Sequence, residues 1–184
     1  MTLEEKIISY CAPTLAGMKT ASLFSSKYEE EEALQIDLSY ANSKLNEKGV
    51  FLEVLKRDGD FVLIYVYRKR KLENDLMQDD IKKLLYEYGY QNCRLDDCIE
   101  RLKCRLSESE EFPHEIGVFL SYPFQDVLGF IKEKGKNWKI CGIWKVYHDE
   151  NEALKIFAKF KKCTDVYRHV FANGRTLTQL TVAA

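Results

Sequence analysis

Apolar residues recur at helical spacing along most of this chain, and only a few stretches break that rhythm. Leu3, Ile7, Ile8 and Cys11 share one helical face, opened by the capping pair Thr2 and Glu5. Pro13 predicts that this helix ends near Tyr10. Leu34, Leu38, Ala41 and Leu45 draw a second stripe behind the acidic run Glu29–Glu32, whose charge suits a helix N-terminus, and Gly49 closes it. Ile81, Leu84, Leu85 and Tyr88 mark a third helix, ending at Gly89. Cys98, Ile99, Leu102 and Leu106 mark a fourth, in which Cys98 reads as a small core residue while Cys104 falls off the stripe. Phe124, Val127, Phe130 and Ile131 follow Pro123 and stop at Gly135. Two further helices are predicted after the Asp149–Glu152 cap. One turns Leu154, Phe157 and Ala158 inward; the other turns in Cys163, Val166, Tyr167, Val170 and Phe171.

The interruptions are β-like. Ala21–Phe24 is a short apolar run. FLEVLKR and FVLIYVYR flank Asp58-Gly59-Asp60, which predicts a tight hairpin. The second of these runs is apolar almost throughout and reads as an interior strand. Ile116–Ser121 reads as another short strand, and Trp138–Tyr147 alternates between two faces. The helix between these last two makes a right-handed parallel crossover the expected connection. Gly129 inside that helix reads as close helix-on-sheet packing or as close approach of backbone to a ligand. The expectation is one α/β or α+β domain over 1–184. A mixed sheet of about five strands, near 21–25, 50–57, 61–68, 116–121 and 138–147, would contain one antiparallel hairpin and one βαβ unit under six or seven helices. The polar SESEE at 107–111 is the best internal break.

Composition narrows the function classes. A chain of 184 residues suits one domain with an adequate core. Lys plus Arg, 28, nearly balances Asp plus Glu, 29, so no global field draws the chain to nucleic acid or an acidic membrane. No apolar run approaches membrane-spanning length, and MTLEEKIISY carries acids where a signal peptide carries bases; a cytoplasmic location is expected. The six cysteines then read as free thiols. Cys93, Cys98 and Cys104 form a Cx4Cx5C cluster that matches neither common zinc spacing nor an iron–sulfur set, so no metal is assigned. Neither GxGxxG nor GxxxxGK occurs, and no cofactor is assigned. Arg68-Lys69-Arg70-Lys71 offers phosphate contacts or a solvated strand exit; no wider basic face or base-stacking pattern supports nucleic acid.

Four residues carry the candidate chemistry. His114 is suited to acid–base work, and Glu115 can orient it or serve as base, provided that Pro113 holds them in a turn rather than a strand. The alternative is a structural hydrogen bond for His114, with Glu115 on solvent or a lysine. Lys19, in the loop after the first helix, is an anion contact or a solvated lysine. Cys141 has Lys139 and Lys145 on its own face of the expected strand, charges that favour thiolate; as an interior strand cysteine it would be inert.

CAPTLAGMKTASLF at 11–24 and FPHEIGVFLSYPFQDVLGFIKEKGKNWKICGIWKVY at 112–147 resemble an uncharacterised bacterial family, found mainly in anaerobic Firmicutes and known as a domain of unknown function. The similarity runs nearly end to end, and APTLAGxK and PHEIG are its specific parts. Met18 and Thr20 stand where the family has an aliphatic residue and often proline. The resemblance implies that Lys19, His114 and Glu115 belong to family-type motifs and supplies no activity or substrate. Three classes stay open: a ligand-binding or regulatory protein with a pocket for a small anionic ligand between the 12–20 and 112–117 loops; an enzyme there using His114, Glu115 and Lys19; and a protein-interaction or redox-accessory module using the Lys132–Lys145 basic surface.

Overall fold

The structure, a computed structural model, describes residues 1–108 and 111–183. In chain order these residues form α1 (Leu3–Leu15), β1 (Ala21–Lys27), α2 (Glu31–Leu45), β2 (Val50–Asp58), β3 (Phe61–Arg68), α3 (Lys69–Leu76), α4 (Asp79–Glu87) and α5 (Leu95–Glu108). Then follow α6 (Ile116–Phe119), α7 (Phe124–Glu133), β4 (Ile140–Cys141), β5 (Lys145–Val146), α8 (Glu150–Ala172) and α9 (Leu177–Leu180). The chain divides into two units, Met1–Leu72 with the segment from Cys163 onward, and Glu73–Lys162. Among the described residues no helix is long and apolar enough to cross a membrane.

The first unit is a three-stranded antiparallel sheet in the order β1-β3-β2. The nearly all-apolar β3 is the central strand, as its composition predicts, and the 58–60 turn joins it to β2. Because β1 and β2 are both antiparallel to β3, they run in the same direction with α2 as their crossover and β3 inserted between them. Ile7, Ile8 and Cys11 of α1, Leu34 and Leu38 of α2, and Val62, Ile64 and Val66 of β3 close one core. The Thr2–Glu5 capping box is present. Contrary to expectation, α1 continues through Pro13 to Leu15. Proline removes the N–H that would bond the carbonyl four residues back, at Ser9. Arg168 donates to that Ser9 carbonyl at 3.4 Å instead.

The second unit is mainly helical, with Leu84, Leu85, Ile99, Leu102, Leu106, Val118 and Phe119 buried. Here the strand–helix–strand expectation is overturned. Residues 116–119 form a helical turn, and residues 117–120 are buried on every side, so the run carries no period to separate strand from helix. The 138–147 stretch folds back on itself, with Ile140 opposite Val146 and Cys141 opposite Lys145. The reversal falls at Gly142, where the Phe157 ring lies so close that a Cβ would sit 2.3 Å from it. The result is an antiparallel two-stranded ribbon, not the second arm of a βαβ unit, and the five strands form two sheets rather than one. The two helices expected after residue 149 are the single α8. Of the 107–111 connector, Ser107 and Glu108 end α5, and Ser109 and Glu110 lie outside the described residues. Gly129 meets Tyr147, whose ring would be 2.5 Å from an added Cβ, which is the close-packing reading with the ribbon as the packed surface.

Candidate functional site

The Pro113 carbonyl accepts from the Ile116 N–H at 3.1 Å, so His114 and Glu115 are the central residues of a turn. Their side chains part. Glu115 is fully buried: Arg105 Nε donates to its Oε1 at 2.9 Å, the other arm of the guanidinium donates to Oε2 at 3.3 Å, and Tyr90 donates its hydroxyl to Oε1 at 3.1 Å. Burial first, then the Glu115 charge and hydrogen bond, push the Tyr90 phenol far above its ordinary range. His114 is half-buried with its ring edge-on to Phe130, centroids 5.4 Å apart.

His114 opens onto a cavity of about 260 Å³ that lies within the second unit. Tyr122, Val127, Phe130 and Trp144 supply its apolar wall, and Cys141, Lys145 and Asp126 line it too. Tyr122 stacks on Trp144 at 5.3 Å and donates to the Ile143 carbonyl at 3.3 Å; burial pushes its phenol up to about 12. Asp126, buried in the first turn of α7, ties the ribbon to that helix. Its Oδ2 accepts from the Trp144 indole at 2.8 Å, and its Oδ1 from the Tyr147 and His148 N–H groups at 2.8 and 2.9 Å. Lys145 donates to the Gly135 carbonyl at 2.7 Å, with its ammonium 5.7 Å from the Phe130 centroid.

The structure therefore brings His114 and Cys141 to one cavity. Cys141 is an exposed free thiol, not an interior strand residue, and Lys145 faces it as its cross-strand partner, because the chain reverses between them. Asp126 escaped the sequence reading, because an acid in a first helical turn ordinarily complements the helix dipole and gives no sign of other duty. Of the other cysteines, Cys98 is buried and Cys104 exposed, as their helical positions predict. His148 and His169 are exposed.

Lys19 belongs to the first unit. It follows the Pro13 carbonyl, which accepts from the Met18 and Lys19 N–H groups at 2.9 and 3.1 Å. Its side chain is partly buried, and burial brings its ammonium from 10.5 down to about 8, against an opposing pull from Cys11. Burial pushes the Cys11 thiol up to about 12. Between pH 8 and 10.5 the unfolded chain holds a proton at Lys19 that the folded chain lacks, so this group adds stability as pH rises through that window. Cys11 works the opposite way above its ordinary value of 9.0, where the unfolded thiol ionises first. Urea unfolding of wild type should therefore shift to higher midpoints between about pH 7.5 and 9. Lys19→Met should flatten that rise; parallel profiles for the two proteins would remove the cause assigned to it.

Arg68 corrects the solvated reading of the 68–71 basic run. It is buried, and its guanidinium donates to the carbonyls of Thr14 at 2.6 Å, Leu15 at 2.5 Å and Val182 at 2.8 Å. Lys71 donates to the Gly17 carbonyl. These two members of the run hold the end of α1; Lys69 and Arg70 are exposed.

No curated protein and no solved structure matches the chain. A family model described as protein of unknown function, DUF3793, matches residues 7–181, and the chain belongs to that family.

Proposed function

We propose that this is a ligand-binding or regulatory protein of the cytoplasm, which takes a small, flat, largely apolar molecule into the cavity of its second unit. The observation that carries the reading is the cavity itself: about 260 Å³, walled by Tyr122, Phe130 and Trp144, with His114, Asp126, Cys141 and Lys145 as its few reactive or charged groups. Sites for small molecules have this make-up, a concave apolar surface with a small number of placed polar groups. The volume lies near the lower end of the roughly 300–1,000 Å³ usual for small-molecule sites, which suits one ring system. Glu115 enters this reading as the anchor of the 113–116 turn, because its carboxylate is taken up by Arg105 and Tyr90.

The test uses indole as the probe and the two exposed thiols as reporters. Cys104 and Cys141 are both accessible, but only Cys141 lines the cavity. Indole should slow iodoacetamide alkylation of Cys141 several-fold and leave Cys104 unchanged, as followed by mass spectrometry of the intact protein and its peptides. Cys141→Trp should fill the cavity mouth and abolish the indole-induced shift of the Gly142 and Ile143 amide resonances. Equal alkylation rates with and without indole, together with unmoved amides in wild type, would overturn the reading.

A further inference from the structure

The polar groups of this cavity are unequal in what they already hold, and the inequality points to a ligand class. Asp126 is the acid in the lining, and its two oxygens accept three N–H bonds from Trp144, Tyr147 and His148. Its charge is thus spread over fixed donors within the fold. Lys145 is the cation in the lining. Its ammonium gives one hydrogen bond, to the Gly135 carbonyl, and rests near the Phe130 ring. Among the described residues no carboxylate lies within ion-pair distance of it. An ammonium against an apolar wall is costly to desolvate unless an anion compensates it, and two of its three donors remain for one. His114 packs on the same Phe130 ring, so its imidazole and the ammonium flank one aromatic surface of the cavity.

We infer that the ligand is a small aromatic monocarboxylate. This inference rests on the cavity reading proposed above and names the ligand for it. The ring lies against Phe130 and the Tyr122–Trp144 stack, the carboxylate accepts from Lys145, and the imidazole of His114 supplies a second contact to it. A single cation, with no arginine in the lining, suits one negative charge better than a phosphate dianion, which ordinarily draws bidentate or multiple cationic partners.

Benzoate, its neutral isostere benzamide, and acetate separate the contributions. Each is titrated into the protein while the amide resonances of residues 141–145 are followed by NMR. Benzoate should bind about tenfold more tightly than benzamide, the size of one charge-assisted hydrogen bond, and acetate should be weaker than both aromatics. Lys145→Met should erase the advantage of benzoate while benzamide binding persists, and Lys145→Arg should keep most of it. The inference is overturned if benzamide equals benzoate in wild type, or if Lys145→Met leaves their ratio intact. In either case continued protection of Cys141 by indole leaves the cavity reading standing. If indole, benzamide and benzoate all leave these amides unmoved, both readings fall together.

Discussion

Arg68→Met is expected to destabilise the first unit by about 3–5 kcal/mol, lowering its melting temperature by roughly 12 °C or more. The cause is the loss of three hydrogen bonds from one charged donor. In wild type the guanidinium donates to Thr14, Leu15 and Val182 from a site that is 2% exposed. The first two belong to the end of α1, where the dipole is negative; Thr14 also accepts from the Gly17 N–H at 3.1 Å, and Leu15 from a backbone N–H of the C-terminal segment. A methionine fills similar volume but gives no donor; Thr14 and Leu15 keep their backbone bonds, the Val182 carbonyl loses the guanidinium, and each hydrogen bond from a charged group is worth about 1.5–3 kcal/mol. Arg68→Lys should recover less than half, because one ammonium on a flexible stem cannot reproduce the planar fork that reaches three acceptors. Hydrogen exchange adds a local readout. The Val182 N–H donates to the Leu15 carbonyl at 3.0 Å, so its protection should collapse in Arg68→Met before the sheet amides of β3 are affected. If urea unfolding shows a loss below about 1 kcal/mol, water and the backbone donors satisfy these carbonyls unaided and the clamp is idle.

The same residue shows where sequence reading stops. Within the run Arg68-Lys69-Arg70-Lys71 nothing distinguishes Arg68, yet it is the buried one. Its acceptors lie 53, 54 and 114 positions away in the chain, and a local pattern cannot register contacts at that distance. Pro13 is a second case: the local rule ends the helix, yet it runs on to Leu15, and the Ser9 carbonyl that loses its N–H meets Arg168, from the far end of the chain. What was legible has strong local signal. The β2–β3 hairpin rests on Asp-Gly between two β-rich runs, the α1 cap on Thr2 and Glu5, and the burial of Leu34, Leu38, Ala41 and Leu45 on a clear helical period.

The 112–147 segment was half legible for the same reason. Its chemistry-bearing side chains stood out by type, and His114 and Cys141 do line one cavity. Its topology did not, because a four-residue buried helix shows no period, and because alternation along Trp138–Tyr147 survives a hairpin as readily as a straight strand. The fold-back depends on Phe157 sitting over Gly142, a contact made by a residue of α8. Lys145 accordingly meets Cys141 by cross-strand pairing, whereas the sequence suggested proximity along one strand face.

Asp126→Ala should be the most damaging single change to the cavity, costing the second unit about 3–5 kcal/mol. Three N–H donors, from the Trp144 indole and the Tyr147 and His148 backbones, lose their acceptor at once, and bonds to a carboxylate are each worth roughly 1.5–3 kcal/mol. Part of this returns through water at His148, which is exposed. Asp126→Asn separates charge from shape. Its carbonyl oxygen can still accept from the two backbone donors, but its amide nitrogen then meets the indole N–H, donor against donor. It should therefore cost less than alanine while releasing Trp144 selectively. Trp138 is 46% exposed against 7% for Trp144, so a Trp138→Phe background lets fluorescence report Trp144 alone. In that background Asp126→Asn should shift emission to the red and weaken the protection of Cys141 by indole, while the first unit unfolds as in wild type. Unchanged emission would mean that the stack on Tyr122 and the edge contact with Phe157 hold the indole unaided, and that the cavity wall owes nothing to Asp126.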